Sequence, residues 1–225
     1  MGFDMVQVWH PLVLSLKTIS VVALLLVFLG IPLSYYLSKE NLKYKWFLET
    51  LVTLPLIFPP IAIGFLLLLL LGKYGWIGSF LNAMGIRFIF DFNGLVLAGF
   101  VAALPLMVKP LQSAIELFPK AIKEAAYMSG KSRFHTFTFI ILPCIQKSVI
   151  AALLIALARA LGEVGITLML GGNLVGKTDT VSLAIYNAVF DGEYRLALFL
   201  CAILIAISLT VFTALHFFQK EESFL

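Results

Sequence analysis

Glu-Ala-Ala-Tyr-Met-Ser-Gly, at residues 124–130, lies in a polar stretch of an otherwise apolar chain, and Ile-Leu-Pro follows at 141–143. Of the 225 residues, 61% are hydrophobic and only 12% are charged, whereas an average soluble domain has about 25% charged residues. The apolar runs on either side are suited to lipid, so this loop is where a soluble partner can contact the chain. The composition therefore predicts a polytopic membrane protein.

Hydropathy predicts five membrane-spanning helices, since a helix needs about 20 apolar residues to cross a hydrocarbon layer about 30 Å thick. The apolar segment 180–190 is too short for a full crossing and is predicted as an extra re-entrant or interfacial helix. The first run is too long for the apolar part of a signal peptide, and no basic segment precedes it, so we expect it to be retained. The predicted spans are residues 12–38, 46–71, 94–115, 144–170 and 195–218.

Basic residues in the short loops predict the orientation, because Lys and Arg are enriched on the cytoplasmic side. Most of them fall in the first loop, the third loop and the C-terminal tail. We therefore expect the N-terminus outside and the C-terminus inside. The inward set is Lys39, Lys43, Lys45, Lys109, Lys120, Lys123, Lys131, Arg133, Lys147 and Lys220, and the outward set is Lys73, Arg87, Lys177 and Arg195.

The polar loop is predicted to fold as two helices joined by a glycine corner. Pro119 suits the first position of a helix, where its missing N–H would be unpaired anyway. Gly130 can adopt the left-handed conformation that ends a helix, and Ser132 can cap a second helix over residues 133–141. We call residues 116–143 the elbow. Spacing alone does not distinguish it from an ordinary amphipathic connection.

Prolines recur inside the predicted spans, and each removes a helical hydrogen bond. In lipid this is tolerated only where neighbouring helices, side chains or water satisfy the freed carbonyl groups. Pro59 and Pro60 therefore either kink the second span for packing or break it to shape a path or a gate. The full set within spans is Pro32, Pro55, Pro59, Pro60 and Pro105.

Arg159 and Glu163 are four residues apart in the fourth predicted span, so they would share one helical face. An arginine at bilayer depth costs about 2.5–3.5 kcal/mol on insertion scales, and a carboxylate one turn away would reduce that cost. The pair is either a self-neutralising structural pair or part of a translocation path. Thr167 and Asn173 are the other polar candidates near this face.

Residues 171–178, Gly-Gly-Asn-Leu-Val-Gly-Lys-Thr, match the phosphate-loop pattern G-x-x-x-x-G-K-[ST] letter for letter. That pattern binds phosphates between a strand and a helix, whereas here it follows a membrane span on the predicted outer side. We therefore predict no nucleotide site in this chain.

Other candidate chemistry is weaker. His10, His135 and His216 lack the spacing of metal ligands. Cys144 and Cys201 are predicted to be small buried apolar residues without a disulfide. No nucleophile lies beside a base in a catalytic pattern, so neither a metal site nor a catalytic site is predicted.

Several of these stretches resemble ABC importer permeases. Glu124-Ala125-Ala126, Gly130 and residues 141–143 are similar to the signature loop of that family. Residues 54–60 and 159–165 resemble its oxyanion branch, most of all the molybdate type, and residues 170–173 and 182–187 favour molybdate over sulfate and tungstate relatives. The resemblance extends over about residues 10–218. It implies an all-α integral membrane protein, with about five transmembrane helices plus a short extra helix, in a single domain over residues 1–225.

The resemblance also implies a function. Such a permease would translocate molybdate across the cytoplasmic membrane of a prokaryote by alternating access, with sulfate, thiosulfate or tungstate as alternative cargo. Its elbow would dock in a groove of a separate ATPase subunit, which would bind the ATP and Mg²⁺, so this chain would hold no cofactor. The implied partners are a second copy of the chain, two ATPase subunits, an extracytoplasmic oxyanion-binding protein and membrane lipid, without nucleic acid. The ATPase-coupling residues would be Glu124, Ala125, Ala126, Gly130, Ile141, Leu142 and Pro143, and the path or gate candidates are Arg159, Glu163, Thr167, Asn173, Pro59 and Pro60.

Two functions of other classes are the rivals. A secondary transporter driven by an ion gradient would show buried carboxylates for coupling and an internal inverted repeat, whereas Glu163 is the one carboxylate noted here and no repeat is clear. An integral membrane enzyme would need a catalytic constellation, which the sequence does not offer.

Overall fold

The computed structural model describes residues 5–39 and 42–220, and every regular element within these ranges is helical. Helix α1 (Met5–Leu25) continues through a π-helical turn (Leu26–Gly30) into α2 (Ile31–Leu37). The helices that follow are α3 (Lys45–Ile57), α4 (Pro60–Leu71), α5 (Trp76–Ala83), α6 (Phe92–Glu116), α7 (Lys120–Met128), α8 (Arg133–Thr136), a second π-helical turn (Phe137–Ile141), α9 (Leu142–Cys144), α10 (Gln146–Leu161), α11 (Gly165–Gly171), α12 (Val181–Phe190) and α13 (Tyr194–Lys220).

Two predicted spans are continuous helices long enough to cross a membrane. Gln7–Leu37 forms one apolar helical segment of 31 residues, and α6 forms another of 25 residues, which confirms spans 12–38 and 94–115. The fifth predicted span lies in α13, which is apolar over Tyr194–Thr210, and α12 is the short extra helix. The all-helical membrane fold is confirmed. The single domain over residues 1–225 stays a prediction, and residues 1–4, 40–41 and 221–225 lie outside the described part.

The second predicted span is broken. α3 and α4 are bent by 120° relative to each other, because Phe58 between them has an extended backbone with φ −82° and ψ 143°. Pro60 then begins α4, at a position where its missing N–H leaves no hydrogen bond unmade. The structure therefore shows a broken helix at these prolines, and a role of the break in a path or a gate stays a prediction.

The prediction of a single helix over residues 144–170 is wrong. α10 ends at Leu161 and α11 begins only at Gly165, so residues 162–164 interrupt the span. Before α10, the segment Arg133–Cys144 is bent from it by 77°. Counting each bent pair as one crossing, the described residues contain up to four candidate spans, where hydropathy predicted five. Hydropathy joined these pieces because an apolar run does not show where the backbone turns.

α6 lies at the centre of the bundle. Its small residues are buried, which allows neighbouring helices to approach closely, and Met107 and Leu111 are fully buried among residues of α1, α10 and the elbow. By contrast, α3 and α4 expose many large apolar side chains. The buried small residues of α6 are Gly94, Ala98, Gly99, Ala102 and Ala103.

The two cysteines differ from the prediction that both are buried. Cys144, at the end of α9, is exposed on the surface of the chain, and Cys201 is partly buried. The prediction was wrong for Cys144 because the helix bends just after it, which places this residue outside the packed part of α10.

Candidate functional site

The first arm of the elbow is a helix that ends at a glycine corner, as its sequence predicts. Pro119 lies one position earlier than predicted, at the N-cap of α7 and not at its first helical residue, and Gly130 beyond the end of α7 has φ 76°. The N–H groups of Gly130 and Lys131 donate to the carbonyl oxygens of Tyr127 and Ala126 at 2.9 and 3.1 Å. A Cβ at Gly130 would meet no atom within 4 Å, so glycine is favoured here by the left-handed backbone and not by lack of space.

The second arm begins at the predicted cap. Ser132 Oγ accepts a hydrogen bond from the His135 N–H at 3.2 Å. The predicted segment 133–141 is helical throughout, but its second half is the π-helical turn Phe137–Ile141. Turns of this type occur frequently at functional sites, and another lies at Leu26–Gly30 in the first span. A coupling role for the second arm stays a prediction.

Buried contacts attach the elbow to the membrane helices. Ile141 is 2% exposed and packs in one apolar cluster with Ile115 of α6 and with Phe137. The ring of Phe137 stacks on Tyr35 of α2, with ring centroids 4.1 Å apart, and Lys123 Nζ donates to the Ile115 carbonyl oxygen at 2.8 Å. A displacement of the elbow would therefore be transmitted to α2 and α6.

The seven predicted coupling residues divide between the interior and the surface. Ala126 and Ile141 are buried and Leu142 is partly buried, whereas the exposed members are Glu124, Ala125, Gly130 and Pro143. On the same helix Met128 is 90% exposed and Ile122 is 45% exposed. Ile122, Glu124, Ala125 and Met128 together form a surface that we call the docking face.

The two broken helices touch each other through glycines. A Cβ added at Gly64 of α4 would lie 2.8 Å from the Cβ of Met169 and 3.0 Å from the Cα of Ile166, both in α11. A Cβ added at Gly165 would lie 2.9 Å from the Cβ of Pro60. The absence of side chains at both glycines therefore brings the break before α4 next to the break before α11, and we call this place the junction.

Glu163 lies in the second break and is 3% exposed. Its Oε2 pairs with Arg159 Nη1 at 2.6 Å, and its Oε1 accepts a hydrogen bond from the Ile166 N–H at 2.8 Å. The ion pair forms, but the predicted shared helical face is wrong, because α10 ends at Leu161 before Glu163 is reached. Glu163 instead satisfies an N–H group in the first turn of α11, where a helix has no internal acceptor and favours negative charge.

The remaining path candidates lie in different places. Thr167 is 4% exposed in α11 and lines the same small cavity as Glu163. Asn173 lies beyond α11, where its side-chain amide exchanges two hydrogen bonds with that of Asn187, one of them at 3.1 Å. Pro59 is exposed at the N-cap position of α4, within the break before that helix. The structure thus places Glu163, Pro59 and Pro60 at the junction, with Arg159 and Thr167 beside Glu163, and leaves Asn173 outside it.

Residues 171–178 form a turn that is closed on itself. Thr178 Oγ1 donates to the Gly171 carbonyl oxygen at 2.7 Å and accepts from the Leu174 N–H at 2.9 Å. Lys177 Nζ donates to the Phe90 carbonyl oxygen at 2.8 Å. The Lys and Thr that a phosphate loop would direct to nucleotide therefore bind the protein itself, and a helix rather than a strand precedes them.

The sequence analysis missed a polar cluster between α3 and α6. Gln112 is 5% exposed, and its Nε2 donates to Glu49 Oε1 at 2.6 Å and to Glu116 Oε1 at 3.0 Å. Lys45 Nζ lies 3.0 Å from Glu116 Oε1, and Lys109 Nζ lies 3.8 Å from Glu49 Oε1. The available signals were polar residues inside predicted spans: Glu49 in the second span, and Lys109 and Gln112 in the third.

Within the described ranges, no group of three or more His, Cys, Asp or Glu side chains is placed to hold a metal ion. His10 Nδ1 lies 3.0 Å from Asp179 Oδ1, and the ring of His135 lies against Phe139. The side chain of His216 falls outside the described part. Where described, the histidines are therefore placed in separate protein contacts.

Comparison with known proteins identifies relatives along almost the whole chain. Residues 14–220 match the family model described as the inner membrane component of binding-protein-dependent transport systems. The molybdenum transport system permease proteins ModB of Azotobacter vinelandii and Escherichia coli K12 are 33% and 35% identical to this chain, and each match covers about nine-tenths of both chains (90% and 89%). Sulfate permease 2 of Chlamydomonas reinhardtii is 30% identical over 89% of this chain and 54% of that protein.

A solved structure has the same fold. A chain of a bacterial alginate ABC transporter, crystallised with an alginate pentasaccharide-bound periplasmic protein, matches 98% of this chain and 83% of that chain with a TM-score of 0.76 and 20% identity. At this identity the likeness shows the fold alone. Together with the family match over residues 14–220, it leads to one assignment: the chain belongs to the inner membrane components of binding-protein-dependent transport systems, the permease subunits of ABC importers.

Proposed function

We propose that this ABC importer permease carries molybdate. The observation that supports the cargo is the likeness to molybdenum transport permeases at 33% and 35% identity across about nine-tenths of both chains. Two sulfate permease relatives are 30% identical, with 71% and 54% of those proteins matched. Sulfate is therefore the second candidate, and the experiment must compare the two anions directly.

A permease of this family carries no catalytic site, so the energy for transport must come from another subunit. We infer that a cytoplasmic ATPase binds the docking face of α7. Met128 and Ile122 present exposed apolar surface beside Glu124, and the small side chain of Ala125 allows close approach. An amphipathic helix with these features is suited to bind in a groove of a partner. Binding of the ATPase there requires the elbow to lie in the cytoplasm, the side that the basic residues predict for the elbow and the C-terminus.

The buried side of the elbow would transmit the motion. Ile141 and Phe137 pack against α2 and α6, so a rigid-body shift of the elbow would displace those helices together. Two copies of the chain around a two-fold axis would then alternate between inward-open and outward-open states. The exposed apolar side chains of α3 and α4 are suited to contact lipid or the second copy.

The junction is suited to line a path without binding the anion tightly. The Arg159 guanidinium is already paired with the Glu163 carboxylate at 2.6 Å, so the positive charge that would attract a doubly charged oxyanion is offset. A transient path of this kind requires that selectivity be held elsewhere, and we assign it to an extracytoplasmic binding protein.

The test is ATPase activity of the permease reconstituted with its ATPase and binding protein, measured with molybdate, tungstate or sulfate. Stimulation by molybdate-loaded binding protein, with sulfate inactive, is the expected result. Stimulation by sulfate alone would refute molybdate as the cargo. If none of the three anions stimulates an assembled complex, the oxyanion assignment is refuted.

Binding of the ATPase to the docking face is tested with two variants, each of which replaces an exposed apolar residue by aspartate. Met128→Asp should abolish ATP-driven transport while the permease still inserts in the membrane, because a charge would enter an apolar contact. Leu174→Asp is the matched control, since this partly exposed apolar residue lies in the outer turn away from the elbow. Equal activity of the two variants would contradict the docking face.

A further inference from the structure

A small polar cavity lies where α1, the break after α10 and the start of α12 meet. Its free volume is about 10 Å³, and a cavity needs about 10–15 Å³ by this measure to hold one water molecule. It is therefore too small for a tetrahedral oxyanion. The polar residues that line it are Ser15, Thr18, Glu163, Thr167 and Thr180.

Thr180 is the unusual member of this set. It occupies the N-cap position of α12, but its side chain makes no capping hydrogen bond. The residue is 8% exposed, and its buried Oγ1 has no hydrogen-bond partner among the described residues. Buried hydroxyl groups in native proteins nearly always have a partner, which is either protein or ordered water.

The neighbouring hydroxyl groups can complete the coordination of a water molecule. Ser15 Oγ accepts from the Val181 N–H at 2.9 Å and keeps its own proton to donate. Thr18 Oγ1 donates to the Leu14 carbonyl oxygen at 2.9 Å and keeps lone pairs to accept. With Thr180 Oγ1, these make three of the four hydroxyl groups that line the cavity, and an internal water molecule needs two to four polar partners.

We propose that this cavity binds one ordered water molecule, held by the hydroxyl groups of Ser15, Thr18 and Thr180. The water links α1 to the start of α12 beside the break that contains Glu163. A monovalent cation is disfavoured because the Glu163 charge is already matched by Arg159 at 2.6 Å and the other polar groups are neutral hydroxyls. The proposal does not depend on the identity of the transported anion.

Thr180→Val tests the proposal by the sign of its effect on the thermal stability of the full-length permease in detergent. Valine has nearly the same shape without a hydroxyl. If the hydroxyl binds a water molecule, its removal leaves that water one partner short, and the melting temperature should fall by about 2–4 °C. If the hydroxyl is unpartnered, its removal relieves an unsatisfied polar group, so an unchanged or higher melting temperature would overturn the proposal.

Thr180→Ser is the matched variant, because it keeps the hydroxyl and should melt above Thr180→Val. A measurement on the unaltered protein covers the case in which the valine variant does not fold. An experimental structure that resolves internal waters should show a density peak in the cavity, and an empty cavity would refute the site. A melting temperature that rises in sodium relative to potassium chloride would identify a cation and overturn the water assignment.

Discussion

Replacement of Arg159 by glutamine should destabilise the protein more than replacement of Glu163 by glutamine, although both changes break the same ion pair. The reason is their unequal burial. The side chain of Glu163 is 2% exposed, whereas that of Arg159 is 31% exposed. Without the arginine, a buried carboxylate loses its counter-charge, whereas without the glutamate the guanidinium can still reach water or lipid headgroups.

The magnitudes follow from that difference. Removal of one partner from a buried pair costs about 3–5 kcal/mol, and we expect Arg159→Gln to fall in this range. For Glu163→Gln we expect about 1–2 kcal/mol, between the value for a buried pair and that for an exposed one, because the introduced glutamine side chain keeps an oxygen for the Ile166 N–H. In a chain of this size 1 kcal/mol shifts the melting temperature by about 2–4 °C, so a difference of about 2 kcal/mol is measurable.

Thermal unfolding of the detergent-solubilised protein measures the loss of stability in each variant. Wild type, both single variants and the double variant are compared at one pH. The double variant should melt above Arg159→Gln, because no unpaired buried charge remains, and the two effects are therefore not additive. If Glu163→Gln lowers the melting temperature as much as Arg159→Gln, or if the two effects simply add, the argument from unequal burial is refuted.

Three further predictions concern packing and buried polar contacts, and each is measured by thermal unfolding. Gly64→Ala should destabilise the folded protein by about 1–3 kcal/mol, because the added Cβ would lie 2.8 Å from a side chain of α11. Gly162→Ala is the control, since its Cβ would meet no atom closer than 3.8 Å. Equal losses of stability in the two variants would disprove the close contact. Gln112→Leu should lower the stability of the fold by about 1–3 kcal/mol, because the Glu49 and Glu116 carboxylates lose a hydrogen-bond donor. Gln146→Leu is the control and should be nearly neutral, because Gln146 is exposed. Similar melting temperatures for the two variants would count against the cluster. Thr178→Val should lower the stability of the fold by about 1–3 kcal/mol, because the Thr178 hydroxyl bridges the turn at residues 171–178. The wild-type permease should bind no ATP. ATP binding to the wild type that Thr178→Val abolishes would restore the phosphate-loop interpretation.

The elbow could be predicted from sequence in unusual detail because its determinants act over a few residues. Pro119 acts on the backbone next to it, Gly130 adopts φ 76°, and Ser132 caps the helix that begins at the next residue by accepting from an N–H three residues away. Each effect depends on the residue type and its immediate neighbours, so no distant contact is needed to anticipate it. Its role in coupling to an ATPase stays a prediction.

The junction could be predicted only in part. Arg159 and Glu163 were selected correctly as an interacting pair, since intramembrane charges need partners. The predicted geometry of the pair was wrong, because α10 ends at Leu161, between the two residues. The next helix begins at Gly165, which lies against Pro60 of α4, about a hundred positions earlier in the chain. The pairing of Gln112 with Glu49 was missed for the same reason: the two residues are 63 positions apart.

The amino-acid sequence by itself determined that this protein is an all-helical membrane protein of the ABC importer permease type, with a polar elbow whose turn residues define its shape. The helical membrane fold and the shape of the elbow follow from hydropathy and from local backbone preferences, which act over one or two helical turns. The permease type follows instead from the resemblance of the elbow and of residues 54–60 and 159–165 to that family. Only the tertiary structure decided where the spans break, which polar groups become buried, and which residues meet at the junction. Those outcomes depend on contacts between helices that are distant in the chain, and an apolar run of sequence does not indicate which helix will pack against it.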